Sequence, residues 1–224
     1  IVRTNLRFLA RHPGRYLATL ASLLRWTWGS PRYFLGAIAI FPKSVYFAGR
    51  LAQDDVRHVH AHFASHPAAA AYVIHRLTGI PYSFTAHGSD LHRDQHMLRQ
   101  KVEAAAFVVT ISNYNRDIIL SHCDPRNHDK VVVIHCGVDT RVFGPGPPDP
   151  AGTRPATSPT PGAATPLAIL SVGTLHEVKG QAHLIEACRH LAAWRVPFTC
   201  HLVGDGPDRE TLERQVSHAE LSDH

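Results

Sequence analysis

Short apolar segments alternate with segments of helical periodicity, and this alternation restricts the possible fold more than any other feature of the chain. Four runs rich in Val, Ile and Phe have the length and composition of strands: VRHVHAHF (56–63), PYSFTA (81–86), FVVTI (107–111) and VVVI (131–134). The segments between them have helical patterns: 67–77, 95–105 and 112–122. Strands that alternate with helices are typical of βαβ units, so we expect a parallel sheet.

A proline-rich segment interrupts the alternation, which then starts again. Residues 144–166 contain eight of the 16 prolines, and this composition predicts a stiff, solvated linker between two domains. Beyond it we expect two strands and two helices: 167–172, 180–194, 197–203 and 208–218. The sequence thus predicts an N-terminal domain over 1–143 and the beginning of a second over 167–224. Because two strands rarely form a stable sheet alone, we expect the second domain to be incomplete.

The composition is that of a folded cytosolic protein. Apolar residues make up 44% of the chain and charged residues 18%, which allows a packed core and excludes a disordered chain. The four cysteines have no CxxC spacing, so we expect reduced thiols rather than disulfides or a zinc site: Cys123, Cys136, Cys188 and Cys200. The chain opens without Met and without a signal-peptide pattern, and we expect an internal piece of a longer protein.

Positive charge is concentrated at the start of the chain. Residues 1–53 contain eight Arg or Lys and no acidic residue. The first four recur at every fourth position: Arg3, Arg7, Arg11 and Arg15. This spacing predicts that they share one face of a helix. With leucines and two tryptophans nearby, the pattern is typical of peripheral contact with an anionic membrane, and the solvated face of an ordinary domain is an equal alternative.

Two other interactions are not expected. The longest apolar run, YFLGAIAIF, ends at Pro42 and Lys43, well short of the roughly 20 residues that a membrane-spanning helix needs. Basic and aromatic residues do not interleave beyond residue 53, so the sequence does not predict nucleic-acid binding.

The segment SVGTLHEVKGQAHLIEA (171–187) passes from a predicted strand to a predicted helix through a loop that contains a lysine. In open α/β sheets, ligands bind at the carboxyl ends of strands, beside helix N-termini whose free N–H groups favour anions. Gly173 ends the strand and Lys179–Gly180 opens the helix, although the spacing is not that of a P-loop. We therefore predict that Lys179 contacts a diphosphate; the alternative is an ordinary exposed lysine in a turn.

A second strand-to-helix turn, GDGPDRETLE (204–213), follows the last predicted strand. It lacks the third glycine and the downstream acid of a dinucleotide-binding fingerprint. We expect a tight turn beside the same cleft, with Asp205 or Asp208 near the start of the helix.

The segment TAHGSDL (85–91) places polar residues at the carboxyl end of another strand. His87 can donate hydrogen bonds to a hydroxylated substrate, and Gly88 permits close approach. His58, His60 and His62 alternate along one strand and so share one face, which brings His62 to the cleft. A metal cluster is disfavoured, because no carboxylate accompanies these histidines at the spacing of zinc enzymes.

Two further segments are expected to make turns at strand ends. Ser112 and Asn113 lie where a helix needs its N-cap. In HCGVDTRVF (135–143), Gly137 is expected to form a tight turn at the crossover between the domains.

Five motifs in this order resemble those of the glycosyltransferase family 4 (GT4): TAHGSDL, ISNYNRDII, VIHCGVDTRVF, SVGTLHEVKGQAHLIEA and HLVGDGPDRETLE. They cover about residues 56–213, and AHFASHPAAAA is most similar to bacterial members that build exopolysaccharide or lipopolysaccharide. The resemblance implies an α/β protein of the GT-B fold, with two Rossmann-like domains and parallel sheets. Both domains are expected to be incomplete in this chain.

The resemblance also implies an activity, which is transfer of a sugar from a nucleotide-diphosphate donor to a glycan or lipid-linked acceptor with retention at the anomeric carbon. Such enzymes need no metal ion or other cofactor for catalysis. His87 and Lys179 are the implied catalytic residues, near the transferring sugar and on the diphosphate respectively. Donor or substrate contacts are expected along the strand ends: His62, Gly88, Asp90, Ser112, Asn113, Gly137, Gly173, Thr174, Gly180, Gly204, Asp205 and Gly206.

The chain departs from the family pattern in two respects. Many relatives carry Arg where Thr174 stands, and threonine offers a hydrogen bond without a charge. The acidic motif that holds the donor sugar in relatives would lie beyond residue 224. Two alternatives remain open: a sugar-nucleotide epimerase or hydrolase of the same fold, and a non-catalytic module that binds membranes through residues 1–53. The expected location is the cytoplasm or the inner face of the cell membrane.

Overall fold

The computed structural model describes residues 1–143 and 166–224. Contacts divide the chain into two units, Ile1–Phe143 and Gly144–His224, and each unit is described by itself. The proline-rich linker expected at 144–166 lies, apart from its last residue, outside the described residues.

The first unit combines helices with one sheet. Its helices are α1 (Val2–Arg11), α2 (Pro13–Thr27), α3 (Pro31–Gln53), α4 (His66–Thr78), α5 (Ser89–His92), α6 (Leu98–Ala104) and α7 (Asn113–His122). Its strands are β1 (Val59–His62), β2 (Tyr82–Ala86), β3 (Phe107–Thr110) and β4 (Val131–Val133), and a 3-10 helix covers Pro125–Lys130. The short helix α5 was not predicted, and the helix expected at 95–105 begins only at Leu98.

The four strands form a parallel sheet in the order β1-β2-β3-β4. The sequence prediction of an α/β fold with a parallel sheet is therefore confirmed. All five residues of β2 are buried, as expected for a central strand covered on both faces. His62 of β1 pairs with Thr85 of β2, so the loops that follow these two strands leave the sheet side by side.

Residues 1–53 form three helices, and the break between the first two separates the arginines. His12 has φ −137° and ψ 58°, and Pro13 begins α2. Proline favours the first position of a helix because its missing N–H would lack a partner there in any case. Arg15 therefore lies on α2, where its Nη1 donates to the Leu77 carbonyl at 3.2 Å. The prediction of one helix face for all four arginines is wrong for Arg15.

Helix α3 continues through Pro42 to Gln53, so the helix is longer than the apolar run YFLGAIAIF on which the expectation of no membrane-spanning helix was based. Proline removes one helical hydrogen bond, but residues three or four positions apart bury one face of the helix: Tyr33, Ala37, Phe41, Val45 and Ala48. This face packs mainly against α4. By length and composition alone, α3 is the one helix of the described residues that could cross a membrane.

The second unit contains two parallel strands, β5 (Leu167–Val172) and β6 (Phe198–Val203), and two helices, α8 (Gln181–Ala193) and α9 (Arg209–His218). A 3-10 helix covers Glu177–Lys179. The core is small and consists of Leu175, Ile185, Cys188, Phe198, Leu212 and Leu221. The predicted elements are all present, within two residues of their expected ends. All four cysteines of the chain are free thiols, as predicted.

Candidate functional site

Two histidines meet where β1 and β2 end. The Nδ1 atom of His62 lies 3.2 Å from Nε2 of His87, and the rings stack with their centroids 5.5 Å apart. The ring of Phe63 lies 4.8 Å from that of His87. One nitrogen of this contact must donate and the other accept, so the hydrogen-bonding role of one ring determines that of the other. The structure thus brings together two residues that the sequence placed at one site.

Asp90 holds the backbone of both loops. Its carboxylate accepts hydrogen bonds from the N–H groups of His87 at 3.0 Å, Gly88 at 2.8 Å and Ala64 at 2.5 Å. The side chain is buried, and bonds of this kind to a carboxylate are strong. Gly88 has φ +123°, a conformation that L side chains rarely adopt. In the structure Asp90, predicted as a binding residue, therefore anchors the backbone that carries His87.

Lys101 of α6 also holds this corner, and it was not among the residues predicted from the sequence. The side chain is 1% exposed, and its Nζ donates to the carbonyls of Ala64 at 2.5 Å and His96 at 3.2 Å. Burial lowers the pKa of Lys101 to about 7, against the opposing effect of Asp90 and Asp94. Ala64 is thus fixed through its N–H by Asp90 and through its carbonyl by Lys101.

The signal for Lys101 was present in the sequence. Leu98, Lys101 and Val102 are the buried residues of α6, and their spacing is that of one helix face. A lysine at a core-facing position has few hydrogen-bond acceptors available, so it must reach backbone carbonyls or a carboxylate.

His58, which precedes β1, and His60 of β1 form hydrogen bonds with hydroxyl groups of β2. Ser83 Oγ lies 2.7 Å from both His58 Nε2 and His60 Nδ1, and Thr85 Oγ1 lies 2.9 Å from His60 Nε2. This row confirms that the three histidines share one face. Burial and the neighbouring histidines lower the pKa of His60. Among residues 1–143 and 166–224, no group of three His, Cys, Asp or Glu side chains could hold a metal ion.

The predicted residues after β3 and β4 lie farther along the same sheet edge. Ser112 is the N-cap of α7, and its hydroxyl accepts from the Asn115 N–H at 3.2 Å; Asn113 is the first helical residue. Asn115 Oδ1 lies 3.1 Å from His92 Nε2, which connects α7 to α5. Gly137 is exposed, and a Cβ added there would meet no atom within 4 Å.

A cavity of about 150 Å³ lies beside the corner formed by Phe63 and Asp90. Two arginines and two serines are among the residues that line it: Arg32, Ser65, Ser89 and Arg93. Asp94, which also lines it, accepts hydrogen bonds from Ser30 and His96. The cavity therefore offers cationic, carboxylate and hydroxyl groups to a small polar ligand.

In the second unit, the loops that follow β5 and β6 are in close contact. The N–H groups of Gly173 and Leu175 donate to the carbonyls of Val203 and Asp205, each at 3.0 Å. A Cβ on Gly204 would lie 1.9 Å from the Gly173 oxygen. The same atom on Gly206 would lie 2.2 Å from the Leu175 oxygen. Both glycines are therefore required by backbone contact within the unit.

The loop before α8 carries Lys179 and a row of free amide groups. Gly180 takes the left-handed conformation with φ +72° and forms the N-cap of α8 without a side-chain cap. The N–H groups of Gln181 and Ala182 have no partner among the described residues. Gln181 is buried and donates to the Thr174 carbonyl at 3.0 Å, which orders the loop. The Lys179 backbone N–H donates to the His176 carbonyl at 2.8 Å, while its exposed side chain has no hydrogen-bond partner in the described parts of the chain.

This arrangement suits an anion, because a helix N-terminus with free amides carries partial positive charge and Lys179 adds a full one. Asp205, by contrast, uses its carboxylate locally, since Oδ1 accepts from the Gly206 N–H at 2.8 Å. The His62–His87 pair and the Lys179 loop belong to different units, and a cleft between them stays a prediction.

Comparison with known protein families agrees with this architecture. The family model described as Glycosyltransferase Family 4 matches residues 6–142, more than half of the chain. A second model, described as Glycosyl transferases group 1, matches residues 158–224. The chain belongs to glycosyltransferase family 4.

Three curated proteins are similar to the chain. WcaL of Escherichia coli, named for glycosyl transfer in colanic acid biosynthesis, is 37% identical over 95 residues, which is 42% of this chain and 20% of WcaL. The alpha-maltose-1-phosphate synthase of Mycolicibacterium smegmatis is 28% identical over 72% of this chain. The 2-deoxystreptamine glucosyltransferase of Streptomyces kanamyceticus is 30% identical over 69%. The chain spans 43% of each of the last two.

The fold is shared with a solved structure. The crystal structure of a glycosyltransferase from Rickettsia africae superposes with a TM-score of 0.55 at 21% identity, covering 82% of this chain and 49% of that one. Together with the parallel sheets of both units, this likeness supports the GT-B, Rossmann-like fold class that the sequence motifs predicted.

Proposed function

We propose that the chain is part of a retaining glycosyltransferase that moves a sugar from a nucleotide-diphosphate donor to a glycan or lipid-linked acceptor. The observation that carries the proposal is the Lys179 loop, where an unpaired lysine precedes a helix with free amide groups at the end of a parallel strand. Family membership and the curated relatives support glycosyl transfer as the reaction class.

The donor diphosphate is assigned to the loop from Gly173 to Gly180. As the bond between the sugar and the diphosphate breaks, negative charge grows on the leaving oxygen. Lys179 and the amides of Gln181 and Ala182 stabilise this charge more in the transition state than in the ground state, and that difference accelerates the reaction. The proposal assigns this role to the protein itself, with the nucleotide sugar as substrate and no metal ion required.

The His62–His87 pair is assigned to the transferring sugar. When Nδ1–H of His62 donates to Nε2 of His87, the proton of the His87 ring lies on Nδ1. That nitrogen has no partner among the described residues and can donate to a sugar hydroxyl. His62 is then a positioning residue that selects the donating tautomer of His87.

The acceptor is assigned to the 150 Å³ cavity beside Phe63. Arg32 and Arg93 suit a phosphate, which arginine binds through paired hydrogen bonds, and Ser65 and Ser89 suit sugar hydroxyls. A phosphate-linked acceptor agrees with a role in cell-surface polysaccharide synthesis, which the similarity to WcaL also supports. The proposed location is the cytoplasm, with peripheral contact to the inner face of the membrane through residues 1–53.

The proposal is tested in a full-length protein that carries these residues. Incubation with nucleotide sugars and a lipid-linked or glycan acceptor should give a glycosylated product. NMR of this product should show that the transferred sugar keeps the anomeric configuration that it has in the donor. Release of free sugar or conversion of the donor to its epimer, without product on any acceptor, would favour the hydrolase or epimerase alternative. Inversion at the anomeric carbon would exclude the retaining mechanism.

A further inference from the structure

A groove of about 350 Å³ runs between α1 and α3, within the roughly 300–1,000 Å³ typical of small-ligand sites. The fully charged side chains that line it are all arginines: Arg3, Arg7, Arg11 and Arg50. His12, Thr4, Phe8 and Tyr46 also line it, and no Asp or Glu does. The groove is therefore a concentrated site of positive charge.

Close helix packing gathers these arginines. A Cβ added at Gly49 would lie 2.9 Å from Thr4 Cγ2 and 3.5 Å from Phe8 Cε2, so the glycine lets α1 approach α3 closely. Asn5 Nδ2 donates to the Pro42 carbonyl at 2.9 Å and fixes the crossing point. The arginines of α1 and Arg50 of α3 consequently face one groove.

The positive charge of the groove is not neutralised within the described chain. Like charges four residues apart destabilise a helix, as Arg3, Arg7 and Arg11 do in α1. None of the four arginines forms an ion pair with any residue in 1–143 or 166–224. Asp54 and Asp55 follow α3, but neither lines the groove. An external anion would relieve this repulsion.

An exposed apolar strip runs beside the arginines. Val2, Leu6 and Leu9 are 71%, 60% and 36% exposed, and their spacing places them on one face of α1. The same helical spacing puts the arginine row between this strip and the face that carries Thr4 and Phe8. A basic row next to an exposed apolar row is the composition of helices that lie in the membrane interface.

We propose that the α1–α3 groove binds the phosphate of anionic phospholipid headgroups, with Val2, Leu6 and Leu9 entering the adjoining acyl boundary. The guanidinium groups match phosphate oxygens through paired hydrogen bonds. The apolar strip favours a bilayer over a dissolved phosphate as the source of the ligand. The inference rests on the proposed membrane contact of residues 1–53 and assigns it a site.

The test measures co-sedimentation of the 224-residue chain with vesicles. Phosphatidylcholine vesicles are compared with vesicles that also contain phosphatidylglycerol. Wild type should bind the anionic vesicles more tightly, and added salt should weaken this binding. Combining Arg7→Gln with Arg50→Gln should weaken binding to anionic vesicles by about 25-fold. This number assumes that each basic residue near the membrane surface contributes about fivefold to the affinity.

The control variant removes the same charge elsewhere. Arg57→Gln with Arg214→Gln changes two exposed arginines outside the groove and should retain binding within about threefold of wild type. Arg7→Lys with Arg50→Lys keeps the charge and should also bind anionic vesicles. Thermal unfolding followed by circular dichroism checks that each variant is folded. If the double glutamine variant unfolds, the single variants Arg7→Gln and Arg50→Gln take its place, each with an expected loss of about fivefold.

Several outcomes would overturn the proposal. Equal binding of wild type to neutral and anionic vesicles excludes a headgroup site. An equal loss in the control variant shows that net charge alone drives binding. Binding of inorganic phosphate, measured by calorimetry and removed by the groove variant, without binding to anionic vesicles would assign the groove to a dissolved anion. No sugar transfer enters this assay, so its result and that of the glycosyltransferase test are independent.

Discussion

His62 Nδ1 and His87 Nε2 lie 3.2 Å apart at the ends of two neighbouring parallel strands. We predict that His87→Ala in a full-length enzyme lowers kcat/KM at least tenfold, a loss of about 1.4 kcal/mol of transition-state stabilisation. His62→Ala should lower kcat/KM less, because His87 still contacts the sugar and only the selection of the His87 tautomer is lost. Steady-state kinetics with the nucleotide sugar measures both. A larger loss for His62→Ala would reverse the assigned roles.

Lys179 is predicted to contribute to the same reaction from the donor side. Lys179→Ala should lower the rate at least tenfold, about 1.4 kcal/mol, because the diphosphate loses its nearest full positive charge. Lys179→Arg should retain more activity than Lys179→Ala. Arg189→Ala, on the exposed surface of α8, removes the same charge outside the loop and should leave turnover unchanged. Unchanged turnover in Lys179→Ala would remove the basis of the donor-site assignment.

Asp90 is predicted to determine stability as well as geometry. Asp90→Asn keeps the shape of the side chain but replaces one acceptor oxygen by an NH₂ group, which faces backbone N–H donors. Leaving such buried donors unpaired costs about 1–3 kcal/mol. Urea unfolding of the 224-residue chain measures this loss, and Asp117→Asn, at an exposed position on α7, is the matched control. A loss equal to that of the control would show that the three hydrogen bonds contribute little.

Burial of Lys101 predicts a pH dependence of stability. The pKa is lowered to about 7 in the folded chain, whereas unfolded lysine titrates near its ordinary value of 10.5. Between these values the unfolded state binds more protons, so the free energy of unfolding rises with pH, by up to about 1.4 kcal/mol per unit from this group. Below pH 7 both states are protonated and the dependence disappears. Two neighbouring groups do not titrate in this window, because the pKa of Asp94 is lowered from its ordinary value and burial raises the pKa of Tyr33 to about 12.

Lys101→Met isolates this contribution from all other titrating groups. The difference in unfolding free energy between wild type and Lys101→Met should stay constant below pH 7. It should change in favour of wild type as the pH rises above 7. Urea unfolding of both chains at matched pH values gives the difference. A difference that is independent of pH between 6 and 10 would show that Lys101 titrates normally in the folded chain.

Gly204 and Gly206 are predicted to tolerate no side chain. Because an added Cβ would overlap the backbone oxygens of Gly173 and Leu175, each change to Ala should displace the loop and cost about 1–3 kcal/mol. Gly173→Ala is the control, since its Cβ would meet no atom within 4 Å. Thermal unfolding of the 224-residue chain, followed by circular dichroism, compares the three variants. Equal stability of all three would contradict the close packing of the two loops.

Local features of the site could be predicted from the sequence. The alternating pattern gave the strands and their order along the chain, and Ser112 was correctly placed as a helix cap. Lys179 and Gly180 were correctly placed between a strand and a helix. These features depend on residues within a few positions of one another, where periodicity, glycine and capping side chains act directly.

Other features depended on contacts between distant parts of the chain. The His62–His87 pair, the Asp90–Ala64 bond and the Lys101–Ala64 bond join residues 25 to 37 positions apart. Their formation requires the register of β1 against β2 and the position of α6 beneath them. From the sequence, Gly204 and Gly206 were predicted to contact the donor. In the structure, glycine is required at both positions because a side chain would overlap the backbone of the neighbouring loop.

The sequence by itself determined the alternating α/β elements, the parallel sheets and the family of this protein. Tertiary structure alone decided that α3 continues through Pro42 and which groups hold the histidines in place. The physical reason is that apolar periodicity acts along the chain, whereas burial and hydrogen bonding act between segments. The free energy gained by burying one face of α3 can outweigh a local preference such as the helix-breaking tendency of proline.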